Sequence, residues 1–281
     1  MPRPTTTARR ELGGELRRLR GERRGATVAA ALGWSESKLS RIETARTGIR
    51  DADLDRLLAA YGVTGDDRVR LQDLARRGRA RVWWNAYRSA VPDPYDEYVA
   101  LEAEAAVLRE WEAQVIPGLL QTDEYARAVI EVGADRTDPE TVQRRVALRM
   151  ARQAVLTREA PPRLCVVLDE AVLHRRVGGS AVMRRQLHRL HDACGRPGIE
   201  VRVLPFAAGA HAALAGSFMV FEFGVPGRSD VAHVEDATGG VFRDRPAEVQ
   251  MYRRFFTDVW QRALDPVASR DLVARTGEGL D

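Results

Sequence analysis

The chain has 281 residues, 44% of them hydrophobic and 30% charged, with a formal net charge of +4. That length predicts about two domains, each able to bury a core. No apolar run approaches the ~20 residues of a membrane span, and Met1-Pro2-Arg3-Pro4-Thr5-Thr6-Thr7 lacks the apolar centre of a secretory signal. A cytoplasmic protein with no membrane partner is therefore expected. Cys165 and Cys194 are the two cysteines; they are expected as free thiols and are too few to build a zinc site.

Charge is unevenly spread. Residues 1–81 hold 19 Arg and Lys against 11 Asp and Glu, a net of +8, whereas residues 82–281 hold 25 against 29, a net of −4. Of the 44 basic residues only Lys38 is lysine, a bias that a GC-rich genome would produce. Codon bias should act on both halves alike, so the asymmetry itself points to a basic module that meets a polyanion.

In chain order, Leu12, Leu16 and Leu19 recur at helical spacing with Arg17, Arg18 and Arg20 between them, which predicts an amphipathic helix with a basic face. Val28, Ala29 and Leu32 predict a short second helix ending at Gly33, with Thr27 as its candidate cap. Gly33 can take the positive φ of a tight interhelical turn, and Ser35 can cap the next helix. In that third helix Leu39 and Ile42 share an inward face with Trp34 nearby, leaving Glu36, Ser37, Lys38, Ser40 and Arg41 outside. Asp51 is the candidate cap of a fourth helix carrying Leu54, Leu57, Leu58 and Tyr61 and stopping at Gly62. A fifth runs from about Asp66 to Arg77. Five short helices predict an all-α module over residues 9–80.

The order of helices and the stretch Leu39-Ser40-Arg41-Ile42-Glu43 resemble the lambda-repressor-like (Cro/XRE-type) helix-turn-helix domain across residues 9–75. The resemblance implies double-stranded DNA as partner, with Glu36, Ser37 and Arg41 facing bases and Lys38, Ser40 and Arg46 holding phosphates. It also implies that Glu43 pairs with an arginine of the first helix, for which Arg20 is the candidate. One departure stands out: Arg24-Gly25-Ala26-Thr27-Val28 is about two residues short and lacks the glutamine with which the family touches a phosphate. Arg23 or Arg24 is the candidate replacement.

Arg76-Arg77-Gly78-Arg79-Ala80-Arg81 reads as a link, followed by Trp83, Trp84, Tyr87 and a Pro92/Pro94 break, which places the boundary near residue 80. Beyond it, Tyr98, Leu101, Ala105, Leu108 and Trp111 predict one helix from Tyr95 to Glu112. Ile116–Thr122 is an elbow whose Thr122 can cap the following helix, and an Arg-rich helix is expected from about Pro139 to Arg158. Runs at 164–168, 201–204, 218–223 and 231–235 predict strands, the last two joined through a Pro-Gly turn, with a helix at Val182–Cys194 and a final one at Pro246–Leu264. The expected fold of residues 82–275 is a mixed α/β (α+β) domain with one small sheet.

Leu101-Glu102-Ala103-Glu104-Ala105, Ile116-Pro117-Gly118-Leu119-Leu120-Gln121-Thr122, Arg152-Gln153, Val203-Leu204-Pro205-Phe206, Gly209-Ala210-His211 and Gly216-Ser217-Phe218 are similar in order to the larger half of actinobacterial WhiJ-like regulators. That resemblance implies a regulatory half of uncertain biochemistry and a small partner protein encoded nearby. Some relatives are antitoxin-like.

No catalytic constellation is evident, and neither an enzyme nor a cofactor is expected. His188 and His191 lie one turn apart beside Asp192 without a third ligand, so no metal is expected. His211 lacks a nucleophile elbow, and the adjacent Glu235 and Asp236 point to opposite faces of a strand. Trp83, Trp111, Phe206 and His211 are the candidate lining of a sensory pocket, against which stands the ordinary use of aromatics as core. The expected function is a homodimeric, sequence-specific transcriptional regulator. The alternatives are an antitoxin-like protein with mainly non-specific DNA binding and a small-molecule-sensing regulator.

Overall fold

In a computed structural model, which describes residues 7–45, 47–79, 95–133, 138–225, 228–236 and 239–280, the chain folds as two compact units, Met1–Ala86 and Tyr87–Asp281. The expected join near residue 80, with Trp83, Trp84 and Tyr87, lies outside the described residues.

The first unit contains α1 (Thr7–Arg20), α2 (Gly25–Ala31), α3 (Glu36–Glu43), α4 (Asp51–Tyr61) and α5 (Gly65–Arg79). Leu12, Leu16, Leu39, Ile42, Leu54, Leu57, Leu58, Leu71 and Leu74 form one core, so the leucine stripes of separate short helices stabilise one another. Two expected caps differ. Asp51 is the first helical residue of α4 rather than its cap, because Arg50 holds the extended cap position. Thr27 lies inside the first turn of α2, whose cap position is Arg24. A carboxylate inside the first turn still complements the helix dipole.

The second unit is built on one six-stranded mixed sheet. In chain order its elements are α6 (Tyr95–Glu104), β1 (Val107–Glu112), α7 (Asp123–Val132), α8 (Pro139–Arg152), β2 (Arg163–Asp169), α9 (Glu170–His174), α10 (Ser180–Cys194) and β3 (Ile199–Leu204). Then follow β4 (Phe218–Glu222), β5 (Val231–Asp236), β6 (Gly239–Arg243), α11 (Pro246–Arg262) and α12 (Pro266–Glu278). Spatial order is β3-β2-β1-β4-β5-β6. The first three strands are parallel and β4, β5 and β6 run antiparallel. Leu164, Val166 and Leu168 pack on one face with α10 and α12, while Cys165 and Val167 pack on the other with Val249, Phe256 and Val259 of α11. Burial on both faces explains why β2 reads as a continuous apolar run.

The helix expected from Tyr95 to Glu112 is corrected: it ends at Glu104, and residues 107–112 are the central strand β1. The backbone leaves the helix where the Ala106 amide donates to Glu222 O at 2.8 Å instead of to the preceding turn. The Arg-rich helix also ends earlier, at Arg152, and continues as a 3-10 turn, Gln153–Leu156. The final helix stops at Arg262, and a further one, α12, starts where Asp265 caps the amides of Val267 and Ala268. The Pro-Gly turn expected between β4 and β5 lies outside the described residues.

Candidate nucleic-acid interface

The turn between α2 and α3 follows from its glycine. Gly33 has φ +69°, its amide donates to Ala30 O at 3.0 Å, and the Trp34 amide donates to Ala29 O at 2.8 Å. These two bonds close the carbonyl end of α2 in a Schellman arrangement. Arg56 Nη2 satisfies a further carbonyl, Leu32 O, at 2.6 Å. Ser35 Oγ then accepts from the Lys38 amide at 3.2 Å, starting α3.

Helix α3 is held against α1 by two devices. Gly13 sits where α1 crosses the end of α3, so close that an added Cβ would lie 2.6 Å from Glu43 O and 3.0 Å from Ile42 O. Seven residues on, Arg20 grips the Glu43 carboxylate with Nε at 2.7 Å and Nη2 at 3.2 Å, as the resemblance implied. Glu43 is almost fully covered, and its bond raises the Arg20 pKa further above the ordinary arginine value. Burial, reinforced by the Glu43 charge, pushes the nearby Tyr61 hydroxyl up to about 12.

On the outer side of α3, Glu36, Ser37, Ser40 and Arg41 are exposed and Lys38 is half-buried. Arg41 Nε donates to Ser37 O at 3.3 Å, one turn back along its own helix. Lys38 is tied inward: Nζ lies 2.9 Å from Asp53 Oδ2 and 4.1 Å from the centre of the Trp34 ring. Glu36 leans over α2, with Oε1 3.6 Å from where a Cβ on Gly25 would lie. Arg23 is occupied as well, donating to the carbonyls of Leu19, Arg20 and Ala60. Arg24 is exposed at the start of α2. Arg46 lies outside the described residues. It follows Ala45, whose φ of +59° is a left-handed conformation unusual for a residue with a Cβ. Asp53 and Arg56 escaped the sequence reading because their contacts join α4 to α3 and to the α2–α3 turn, and periodicity carries no record of such pairs.

In the larger unit, Trp111 of β1 is buried in the core and its indole N–H donates to Ala213 O at 3.2 Å. His211 meets it edge-on at 5.0 Å. Phe206 is 61% exposed and stacks on His174 at 6.0 Å. The fold thus brings Trp111 and His211 together but sets Phe206 against another partner, while Trp83 lies outside the described residues. His188 and His191 are each near Asp192, at 3.4 and 3.7 Å, and His191 Nε2 accepts from Arg270 at 3.0 Å. Among the described residues no group of three or more His, Cys, Asp or Glu side chains is placed to hold a metal. Cys165 and Cys194 are free thiols, the second pushed up to about 11 by burial.

A polar cluster nonetheless lies under the sheet. Arg152 Nε donates to Glu102 Oε1 at 3.0 Å, and both side chains are buried. Burial and the neighbouring carboxylates raise Glu110 well above the ordinary range, and burial raises Glu112 to about 7. Burial and the Arg152 charge lower His233 to about 4.

A family profile described as "Domain of unknown function (DUF5753)" matches residues 95–275, more than half of the chain. A second, described as "Helix-turn-helix domain", matches residues 11–71. No curated protein and no solved structure matches the chain. No helix among the described residues is long and apolar enough to cross a membrane.

Proposed function

The chain belongs to the DUF5753 family, and from that membership and its helix-turn-helix head we propose that it is a sequence-specific DNA-binding transcriptional regulator. The observation that carries the reading is α3 itself: a capped helix behind a Gly33 turn, fixed to α1 by Arg20 and Glu43, with an exposed polar face. Glu36, Ser37 and Arg41 are proposed to face base edges, Arg41 through a bidentate bond to guanine. Ser40, Arg46 and Lys38 are proposed to hold phosphates; Lys38 must first exchange Asp53 for the nucleic acid.

One reading helix spans too few base pairs for useful specificity, so we propose a homodimer whose two reading helices lie about 34 Å apart, one turn of DNA. The DUF5753 unit is proposed to dimerise, to bind a small partner protein as in WhiJ-like regulators, or both. Light scattering that finds a monomer both free and on the operator would refute the dimer.

The second reading is an antitoxin-like interaction protein that binds DNA mainly non-specifically. It is favoured by the Glu36 carboxylate beside Gly25, which sets negative charge at the start of the shortened α2. Binding to the protein's own upstream DNA and to scrambled DNA at near-physiological salt separates the two. A preference of about a thousandfold or more supports the regulator; equal binding refutes it in favour of the interaction protein. A regulator that senses a small molecule is the remaining alternative, and it requires a ligand site in the larger unit.

A further inference from the structure

A cleft of about 270 Å³ opens between α10 and the 3-10 turn Gly118–Leu120. Leu119 and Leu120, each only 2% exposed, form its apolar floor, and Arg185, Arg189, Arg196 and Asp192 surround it. With Arg185 paired to Glu124, Arg189 and Arg196 against the single Asp192 leave it net positive. The Asp192 carboxylate lies 3.4 Å from the His188 ring.

The walls are fixed by two side-chain amides, one of them buried. Gln186 of α10 is fully buried; its Oε1 accepts from the Thr122 amide at 2.7 Å, and its Nε2 donates to Leu120 O at 2.9 Å. Gln153 Nε2 donates to Gln121 O at 2.8 Å, and its Oε1 accepts from Arg189 Nη2 at 2.6 Å. The 3-10 turn is thereby fastened to α10 and Arg189 is held at the rim. Arg185 is paired with the exposed Glu124 at 2.6 Å. The Arg196 side chain makes no hydrogen bond or ion pair among the described residues and is exposed.

A preformed cleft with an apolar floor, a fixed guanidinium and a spare one is suited to a carboxylate or phosphate attached to a compact apolar group. Planar guanidinium groups match both anions in a fork, and small-molecule sites combine an apolar lining with a few such polar groups. We infer that this cleft binds a small organic anion, with Arg189 and Arg196 holding the charged end and Leu119 and Leu120 the apolar body. The site is separate from the DNA-reading head, and the inference stands whether or not that head is sequence-specific.

The test is calorimetric titration of the full chain, without DNA, with phenyl phosphate, benzoate, inorganic phosphate and benzyl alcohol. Saturable binding of phenyl phosphate or benzoate is expected, about tenfold or more tighter than that of inorganic phosphate or the neutral alcohol. The tighter of the two identifies the anion class. Arg196→Ala should weaken it about tenfold; because the Arg196 side chain makes no hydrogen bond or ion pair among the described residues, this variant should stay folded, which circular dichroism checks. Arg189→Gln is the second variant and should weaken binding similarly. No saturation by either aromatic anion up to about 10 mM overturns the inference. So does equal binding of inorganic phosphate, which would mean an adventitious ion only, or undiminished affinity in both variants.

Discussion

Two adjacent glycines in α1 should respond to alanine with opposite signs. Both are helical, so each Gly→Ala change gains about 1 kcal/mol of helix propensity. A Cβ at Gly14 meets nothing within 4 Å, and Gly14→Ala should therefore stabilise the head by about that amount. A Cβ at Gly13 would stand 2.6 Å from Glu43 O and 3.0 Å from Ile42 O, both backbone atoms at the end of α3. A normal contact needs roughly 3.4 Å or more, so α1 must withdraw by most of an ångström, stretching the Arg20–Glu43 pair as it does. Overpacking against backbone belongs at the upper end of the usual range, about 3 kcal/mol. After the propensity gain, Gly13→Ala should destabilise by about 2 kcal/mol, placing the two variants roughly 3 kcal/mol apart. Whole-chain melting mixes two units, so the assay is urea-dependent hydrogen exchange of peptides covering residues 7–20 and 36–43. If Gly13→Ala stabilised these segments as Gly14→Ala does, the close crossing of α1 and α3 would be refuted.

At the proposed interface, Arg41→Ala should cost about 1–3 kcal/mol and relax preference at one base position. Arg46→Ala should weaken all sequences alike and lower the salt slope by about one unit. Identical behaviour on a panel of single-base operator variants would overturn that division of roles. Asp53→Asn releases Lys38 from a pair whose side chains are 34% and 22% exposed, so it should cost the head less than about 1 kcal/mol. It should also tighten DNA binding, because Lys38 no longer has to give up Asp53, whereas Lys38→Ala should lower the salt slope by about one unit; an unchanged slope in Lys38→Ala would mean that Lys38 reaches no phosphate. In the larger unit, Glu112 has its pKa raised to about 7 against an ordinary 4.5. Its protonated form therefore favours the folded state below about 4.5, and that contribution is lost as pH rises through 7. His233, lowered to about 4 from 6.5, acts oppositely: its contribution is present above 6.5 and lost as pH falls through 4. Glu112→Gln should raise stability at pH 7 by on the order of 2 kcal/mol and leave the acid-side loss from His233 intact. Urea titrations across that pH range, read by exchange in β1 and β5, would refute this if the variant and parent curves ran parallel.

The head was legible because its determinants are local. The positive φ of Gly33 and the cap at Ser35 each involve residues within one turn of one another, and leucine spacing reports each buried stripe directly. What escaped was cross-helix chemistry. Lys38 reads as a free cation on an outer face, yet Trp34 and Asp53 hold it inward. Arg23 and Arg24 read as equivalent candidates, but Arg23 closes the end of α1 and reaches Ala60 O at 3.0 Å, leaving Arg24 exposed. Only the packed fold distinguishes two adjacent arginines of identical propensity.

The larger unit resisted sequence reading most at β1. Leu101, Ala105, Leu108 and Trp111 satisfy a helical period, and the misreading follows from trusting it across Ala106. In the fold Leu108 and Trp111 belong to opposite faces of the sheet, as residues three apart in a strand must. The alternation that would have revealed the strand is concealed twice. First, β1 is central, paired with β2 and β4 and buried on both faces, so it needs no polar side. Second, one of its inward positions is Glu110, only 6% exposed, whose Oε2 finds no hydrogen-bond partner among the described residues. A buried carboxylate in a central strand reverses the rule by which a sequence is read, because an apolar site is written with a charged residue. Its neighbours show why it persists: with Glu102 and Arg152 already paired beneath the sheet, burial raises the Glu110 pKa well above the ordinary carboxylate value and favours its uncharged form. The part of the chain least legible in sequence is thus the part where burial works against the charge that the sequence implies.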